Sequence, residues 1–426
     1  MHVISTRGGD RCSVVDALQR GLARDGGLYV PEHWLRLTAA DFTGQDALCD
    51  VAATLLRPFL ADSPLADQVD AICHEALDFD TPLVALNDGR THLLELFHGP
   101  TGAFKDVGAR VLAACLSRLR EPDAADLTVL VATSGDTGSA VAGAFHRRSG
   151  FKVAVLFPDH GVSPRQKHLL SCFGDNVASF AVDGSFDDCQ AMVKAAFANA
   201  ELQAAVPLTS ANSISIGRLL PQMAYYAQAA LRHARRGGAP LNFAIPSGNL
   251  GNALAAVWAR ALGLPIGDIA IVTNANRVLP EFFASGEYRP HPSIATIANA
   301  MDVGAPSNLE RLRAGFADSS GLHALAVDDD TIRHRVGAFL AEFDTVICPH
   351  TATAAEFVAQ RREAGDRRDW AIVATAHPAK FEAVVEPLIG RRVPVPETLA
   401  RWLREPAQAR PLRAEAEALA TALGAG

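Results

Sequence analysis

The spacing of apolar residues divides the chain into two regions of different predicted structure. Residues 1 to about 85 carry apolar positions at helical spacing over 14–22, 46–60 and 65–77. From Thr91 onward, short apolar runs alternate with amphipathic segments instead. Such alternation is typical of parallel strands joined by helices that cover both faces of a sheet. The pattern therefore predicts a mostly helical N-terminal domain followed by an α/β fold.

The apolar runs of the α/β region fall into two series. The first contains THLLELF, LTVLVAT, KVAVLFP and VASFAVD, and the second contains LNFAIP, IAIVTN, TVICP and DWAIVAT. Helices are predicted to begin at Phe104 or Lys105, Thr137, Pro164, Arg218 and Leu250. Two series predict two three-layer α/β domains with a cleft between them. We expect an N-terminal domain at 1–85, a large domain at 86–122 and 216–390, a small domain at 123–215 and a helical C-terminal tail at 391–426.

Composition narrows the classes of function. The 426 residues are 49% hydrophobic and 20% charged, with a formal net charge of −8, as in a soluble protein of several domains. This balance favours neither a nucleic-acid nor a membrane partner. The seven cysteines are scattered without a CxxC pair, which is typical of reduced intracellular proteins. The start of the chain has no apolar core of signal-peptide length, so we expect a cytoplasmic protein.

One lysine lies where a loop rich in Gly and Pro gives way to a helix. In HGPTGAFKD, Lys105 follows Ala103 and Phe104, which would remove water from its amine. The positive end of the helix dipole also disfavours an ammonium group there. Both effects favour a neutral amine, which attacks carbonyl groups. The alternative is a surface lysine that extends into solvent from the first helical turn.

Two further loops join a predicted strand to a predicted helix. The loop of ATSGDTGSA, residues 133–138, offers hydroxyls and helix N–H groups that suit a carboxylate. The loop of PSGNLGNA suits a phosphate through successive backbone amides of Gly248, Asn249, Leu250, Gly251 and Asn252. Neither loop matches the fingerprints of ATP or NAD sites. Tight turns without a ligand remain the alternative.

A third candidate anion site lies in SANSISIGRLLPQ, residues 210–222. Asn212 and Ser213 occupy a polar turn, and the planar guanidinium of Arg218 suits a phosphate or carboxylate. The alternative for Arg218 is contact with solvent or with an acidic residue. Three anion sites and an activated lysine suggest a phosphorylated aldehyde cofactor, an amino-acid carboxylate and one more anionic group. Pyridoxal phosphate meets the first requirement.

Together these motifs resemble the threonine synthase family, pyridoxal-phosphate enzymes of fold type II in the tryptophan synthase β superfamily. HGPTGAFKD resembles the cofactor-lysine motif, ATSGDTGSA the substrate-carboxylate loop, PSGNLGNA the cofactor-phosphate loop and ANSISIGRLLPQ the substrate-phosphate segment. Further stretches agree in order along the chain: STRGGD, GLARDGGLYVPE, NANRVLPEFFASGEY, TIANAMDVGAPSN and ATAHPAKF. One departure is Leu250, where the family often carries Phe.

The resemblance implies conversion of O-phospho-L-homoserine and water to L-threonine and phosphate, by γ-elimination and β-addition, as the last step of threonine biosynthesis. Lys105 is then the catalytic residue, the large domain binds pyridoxal phosphate and the small domain closes over the substrate. The implied cofactor contacts are Lys105, Asp136, Gly248, Asn249, Leu250, Gly251, Asn252 and Thr375, with Thr375 at the pyridine nitrogen. The implied substrate contacts are Thr101, Ser134 and Thr137, the last two at the carboxylate, and Asn212, Ser213 and Arg218 at the phosphate.

Several alternatives stay open at this point. Asp136 approaches the cofactor ring or only caps a helix, and Lys167 and Lys380 are further candidate cations or surface residues. His98, His350 and His377 lack metal-ligand spacing, so we predict structural roles and no metal site. A related phospho-lyase or serine/threonine dehydratase would give a 2-oxo acid, and a dehydratase does not need Arg218. A non-catalytic cofactor-binding protein and an NAD-dependent dehydrogenase are further alternative functions. For the oligomeric state, we expect a monomer or homodimer.

Overall fold

Two sheets, one all parallel and one parallel except for an edge strand, form the framework of the chain. The computed structural model describes residues 1–121, 123–133, 135–160, 162–315 and 320–424. Its strands are β1 His2–Ser5, β2 Arg11–Ser13, β3 Tyr29–Pro31, β4 Leu83–Ala85, β5 Thr91–Glu95, β6 Leu127–Ala132, β7 Phe151–Pro158, β8 Val177–Asp183, β9 Leu208–Ser210, β10 Leu241–Pro246, β11 Ile266–Thr273, β12 Leu322–Ala326, β13 Trp370–Ala374 and β14 Ala409–Arg413.

Helices connect these strands and cover the sheets. They are α1 Val14–Arg20, α2 Leu48–Leu60, α3 Val69–Ala76, α4 Lys105–Arg118, α5 Asp136–Phe145, α6 Pro164–Ser171, α7 Phe186–Ala198, α8 Ala200–Ala205, α9 Ile216–Leu219, α10 Met223–Arg235, α11 Gly251–Ala261, α12 Val278–Ser285, α13 Leu309–Gly315, α14 Asp329–Phe343, α15 Pro349–Glu363, α16 Glu382–Ile389, α17 Glu397–Leu403 and α18 Ala416–Ala422. Short 3₁₀ turns lie at Ala39–Phe42, Ala66–Gln68, Leu220–Gln222, Asn299–Met301 and Pro378–Phe381. Among the described helices, none is long and apolar enough to cross a membrane.

The large sheet has the strand order β12-β11-β10-β13-β5-β4, and only β4 runs antiparallel to its neighbour. Its apolar strands are buried on both faces by helices, as the uninterrupted apolar runs predict. One predicted strand, TVICP, is wrong. Cys348 instead caps α15 by accepting a hydrogen bond from the Thr351 backbone, and Pro349 opens that helix. The edge position belongs to β12, which pairs in parallel with β11.

The small sheet has the order β14-β8-β7-β6-β9, with all strands parallel. Strands β6, β7 and β8 lie where the apolar runs predict them. The region 391–426, expected as a helical tail, contains α17 and α18 but also β14, which pairs with β8. The charged, exposed run ARPLR lacks the apolar alternation by which strands are recognised.

The N-terminal region holds the three helices that the sequence predicts, α1, α2 and α3. It also contains a small antiparallel sheet in the order β2-β1-β3, whose short strands give little periodicity. Two sheets with helices on both faces confirm the predicted α/β class. The domain boundaries given above stay predictions.

Candidate active site

The lysine loop is fixed against the end of β13. Leu96 and Phe104 donate backbone hydrogen bonds to the carbonyls of Ala374 and Thr375, at 3.0 and 2.9 Å. Because β5 and β13 are parallel neighbours, the loop leaves the same edge of the sheet as Thr375. Helix α4 then begins at Lys105, as the sequence predicts. Lys105 and the buried Thr375 therefore lie at the carboxyl ends of adjacent strands, where ligands bind in such sheets.

The C-terminal region covers this loop. Gly102 has a φ of 67°, and a Cβ atom there would lie 3.0 Å from the side chain of Leu399 on α17. Trp402, on the same helix, donates from its indole nitrogen to the Pro100 carbonyl at 3.1 Å. The segment after residue 391 thus supports the loop that carries Lys105.

Lys105 is half-buried and its amine is easily deprotonated. Burial lowers the pKa of Lys105 to about 8, helped by the charges of Arg218 and Lys380 and opposed by Asp136. At pH 7 about a tenth of such a group is neutral, against about 0.03% of an unperturbed lysine. The half-buried position and the lowered pKa favour an activated amine over an ordinary surface lysine.

A buried ion pair lies beside Lys105. The amine of Lys380 is 2.8 Å from Asp136 Oδ1, and both side chains are almost completely buried. Burial would raise the pKa of Asp136, but the charges of Lys380 and Lys105 lower it to about 2. Asp136 is thus an ionised carboxylate within the first turn of α5, and Gly135 is the capping residue. Lys380 is the cation of this site, whereas Lys167 pairs with Asp159 on the surface.

Thr101 has all of its polar groups engaged within the protein. Its hydroxyl and its backbone N–H donate to the two carboxylate oxygens of Asp106 at 2.6 and 2.8 Å. Its carbonyl accepts a hydrogen bond from the Lys380 amine at 2.8 Å. Burial raises the pKa of Asp106. These bonds hold the lysine loop in place, and the substrate contact implied for Thr101 stays a prediction.

The carboxylate loop leads from β6 into α5. The Thr133 hydroxyl accepts hydrogen bonds from the backbones of Gly135 and Gly138, each at 3.0 Å, and so fixes the turn. The N–H groups of Asp136 and Thr137 have no acceptor among the described residues. These groups fit a small anion at the helix N-terminus. Ser134, a predicted contact, lies outside the described residues.

The loop between β10 and α11 forms a cradle for a phosphate. Within the described structure, no acceptor engages the N–H groups of residues 248–252. A Cβ atom at Gly248 would lie 2.7 Å from the Met301 backbone, so only glycine fits this approach. Leu250 adopts a left-handed φ of 63°, which turns successive amides toward one point. The hydroxyl of Ser247, a residue that sequence reasoning missed, is buried and has no partner among the described residues.

Asn252 lies at the base of this cradle. Its side-chain oxygen accepts hydrogen bonds from the hydroxyls of Tyr225 and Tyr226, each at 2.7 Å. Its amide nitrogen is buried with no partner in the described part of the chain. An unused donor beside the free amides of the loop fits the phosphate of the implied cofactor.

The segment 210–222 forms a second anion site. Arg218 is 2% exposed and donates to the Ala211 carbonyl, while its Nε lacks a partner in the described structure. Burial lowers the pKa of Arg218 to about 10, so it stays charged at neutral pH. The Ser215 hydroxyl and the Asn212 side-chain oxygen are likewise buried and unpartnered. Arg218 therefore neither faces solvent nor forms an ion pair with an acidic residue among the described residues, and its role as a phosphate contact stays a prediction.

The two anion sites touch each other. The side-chain amide of Asn249 donates to the Ser213 hydroxyl at 2.5 Å, so the phosphate cradle and the Arg218 segment share a wall. Arg218 also lies against α4, because a Cβ atom at Gly108 would collide with its carbonyl oxygen. The predicted lysine and both predicted phosphate sites therefore meet in one place.

The histidines of the site are neutral and structural. Burial lowers the pKa of His350 and of His377 to about 4. Each accepts a backbone hydrogen bond, His350 from Ala300 at 3.0 Å and His377 from Ala379 at 3.2 Å.

Sequence reasoning gave little weight to Lys380 and did not select Gln166. The Gln166 amide reaches Asp136 at 3.5 Å and its oxygen accepts from Asn299 at 3.2 Å. Asn299 and Lys380 both lie in quoted motifs, TIANAMDVGAPSN and ATAHPAKF. Their membership of those motifs is the sequence signal that could have identified Asn299 and Lys380 as site residues.

Comparison with known proteins gives consistent matches along the chain. A family model described as pyridoxal-phosphate dependent enzyme matches residues 76–378, and one described as threonine synthase N terminus matches residues 2–77. Threonine synthase from Serratia marcescens is 36% identical over 397 residues, 92% of this chain and 91% of the relative. The crystal structure of threonine synthase from Escherichia coli has a TM-score of 0.91 at 34% identity and covers 99% of each chain. The pyridoxal-phosphate-bound structure from Brucella melitensis has a TM-score of 0.89 at 32% identity over 99% of this chain and 98% of that one.

Proposed function

The chain belongs to the threonine synthase family of pyridoxal-phosphate-dependent enzymes, and from this premise we propose how its residues convert O-phospho-L-homoserine and water to L-threonine and phosphate. The chain is a pyridoxal-phosphate-dependent lyase. One observation carries the assignment of residues: Lys105, with its pKa lowered to about 8, stands beside two anion sites that share the Asn249–Ser213 hydrogen bond. One site suits the cofactor phosphate and the other the substrate phosphate.

Lys105 has two tasks in this proposal. Its amine would hold the aldehyde group of the cofactor in the resting enzyme, and the same amine would move protons at the carbon atoms of the substrate. Bound pyridoxal phosphate supplies the electron-withdrawing group that makes the C–H bonds of the substrate acidic. A pKa near neutrality suits Lys105 to both accept and return a proton.

The two phosphate sites have separate tasks. The amides of residues 248–252, with the side chain of Asn252, would hold the cofactor phosphate, and the Thr375 hydroxyl would bond the pyridine nitrogen. Arg218, with Asn212 and Ser213, holds the phosphate of the substrate while the Cγ–O bond breaks. The departing phosphate, still held by Arg218, accepts a proton from the water that adds at Cβ.

The carboxylate loop orients the substrate. The free N–H groups of Asp136 and Thr137 suit its carboxylate, and Ser134 is a further predicted contact. The Asp136 carboxylate is neutralised by Lys380, so it does not repel an anionic substrate as a lone carboxylate would.

A single incubation tests the function. Purified protein loaded with pyridoxal phosphate is mixed with O-phospho-L-homoserine, and released phosphate, threonine and 2-oxobutyrate are quantified from one sample. Threonine formed in step with phosphate supports the proposal. Phosphate with 2-oxobutyrate would make the protein a phospho-lyase, and the absence of all products would indicate a non-catalytic cofactor-binding protein.

The assembly and location remain predictions. A monomer or homodimer is expected, with a small molecule as the partner, and the cytoplasm is the expected compartment. The closing of a small domain over a large one also stays a prediction.

A further inference from the structure

A buried arginine lies behind the two phosphate sites without an acidic partner in the described part of the chain. Arg311, on α13, has no exposed side-chain surface. It donates to the carbonyls of Tyr29 and Ile214 at 2.8 and 2.6 Å and to the side-chain oxygen of Asn308 at 2.6 Å. Burial lowers the pKa of Arg311 to about 9, so the group still carries its charge at neutral pH. Its binding partners are therefore three oxygen acceptors from three parts of the chain.

Asn308 connects this arginine to both phosphate sites. A guanidinium has only donors, so the side-chain oxygen of Asn308 must face Arg311. The amide nitrogen of Asn308 then donates to the carbonyls of Ser213 and Asn249 at 3.2 and 3.0 Å. One buried side chain thus holds one carbonyl of the substrate-phosphate segment and one of the cofactor-phosphate loop.

These bonds decide where the adjacent N–H groups point. In a trans peptide the carbonyl and the following N–H point in opposite directions. When Asn308 holds the carbonyls of Ser213 and Asn249 on one side, the N–H groups of Ile214 and Leu250 turn to the other side. The Leu250 N–H belongs to the free set in the cradle, and the left-handed φ of Leu250 persists only because its surroundings fix it.

A second set of bonds closes the arrangement. The side-chain oxygen of Asn249 accepts from the Ser307 backbone at 2.5 Å, and its amide nitrogen donates to Ser213. Residues 307–311 therefore form hydrogen bonds to both phosphate sites from the side away from the cradle. Through the Tyr29 carbonyl, the same group is tied to β3 of the N-terminal region.

We propose that Asn308 and Arg311 are positioning residues that set the spacing between the cofactor-phosphate loop and the substrate-phosphate segment. The identity of the two phosphate groups rests on the proposed function. Neither side chain touches a reacting atom. Their effect is on affinity for both phosphates together, because one side chain holds both loops.

The Asn308→Asp variant of the full chain tests this proposal. It keeps the size of the side chain and an acceptor for Arg311, but it replaces the shared donor by an oxygen that repels two carbonyls. We expect the dissociation constant of pyridoxal phosphate for the apo-protein to rise tenfold or more. The dissociation constant of inorganic phosphate for the holoenzyme should rise by a similar factor. Arg313→Met, an exposed change on the same helix, is the control and should alter neither constant.

Unchanged affinity for both ligands in Asn308→Asp would overturn the proposal, as would a fall in melting temperature with normal affinities in the folded protein. If that variant does not fold, Arg311→Lys is the deciding variant, because it keeps the charge but reaches fewer acceptors. We expect it to lose less affinity for both ligands than Asn308→Asp does. We also expect its rise in KM to exceed its fall in kcat. Normal constants in Arg311→Lys would also refute the idea. Failure of the proposed function would appear differently, as wild-type protein that forms no threonine.

Discussion

Replacing Lys380 with methionine tests the electrostatics on which Lys105 depends. The change removes a buried positive charge that lowers the pKa of Lys105, and it frees the Asp136 carboxylate to attract the Lys105 proton. Both consequences act in the same direction, so the pKa of Lys105 must rise. With an effective dielectric constant of about 20, one unit charge within about 12 Å shifts a pKa by about one unit or more. We therefore expect at least about tenfold less neutral Lys105 at pH 7 in the variant.

Competitive labelling of the apo-protein measures this directly. The rate at which acetic anhydride acetylates Lys105 is followed by mass spectrometry from pH 6 to 11, with the exposed Lys152 as the internal reference. Half-maximal reactivity of Lys105 should fall near pH 8 in the wild type, in keeping with its lowered pKa. The midpoint should lie at least about one unit higher in Lys380→Met. Lys167→Met removes a lysine whose ion pair lies on the surface and should leave the midpoint unchanged.

Two results would refute this reasoning. A wild-type midpoint near 10.5 would show that Lys105 is an ordinary lysine despite its burial. A Lys380→Met midpoint equal to or below that of the wild type would show that the Lys380–Asp136 pair has no influence on Lys105. Since the assay needs neither cofactor nor turnover, both results bear on the amine alone.

Three further variants test other parts of the site. Lys105→Met should abolish threonine formation, yet it should raise the free energy of unfolding of the apo-protein at pH 7, measured with a denaturant. The reason is that a charged amine whose pKa is lowered to about 8 costs the folded state about 3 kcal/mol, and this cost fades between pH 8 and 10.5. Equal stability of variant and wild type at pH 7 would contradict the lowered pKa. Arg218→Leu should lower kcat/KM for O-phospho-L-homoserine by about 10²-fold or more, and an unchanged value would remove Arg218 from the phosphate site. Gly248→Ala should weaken pyridoxal phosphate binding about tenfold, since its Cβ would lie 2.7 Å from the Met301 backbone; Gly337→Ala, with no atom within 4 Å, is the matched control.

The parts of the site that the sequence predicts are those set by local structure. A strand, a glycine-rich turn and a helix are encoded together, so α4 begins at Lys105, and α5 and α11 follow β6 and β10 as the motifs predict. The burial of Lys380 depends on the carboxylate of Asp136 in α5, more than 200 residues away in the chain, and no local pattern reports it. From the sequence alone, a single lysine is predicted to be a surface residue.

The errors in the fold have a similar cause. The run TVICP is apolar enough for a strand, but it forms the loop that leads into α15, where Cys348 is the capping residue. Strand β14 has a charged sequence and becomes a strand only because the edge of β8 is available to it. A local cap decided the first case and a strand distant in sequence decided the second, and the apolar periodicity of the segment reports neither.

The position of β14 has a consequence for the way the chain folds as it is made. Strands β6, β7 and β8 leave the ribosome early, but the strand that covers β8 is made only after β13 has completed the large sheet. Throughout that interval β8 presents an open edge, the kind of surface on which nascent chains associate wrongly. When β14 arrives, Arg410, Pro411 and Arg413 form the new outer edge, and charged residues and proline resist further pairing. The small sheet is thus the last of the two to be completed, although its central strands are made before most of the large sheet.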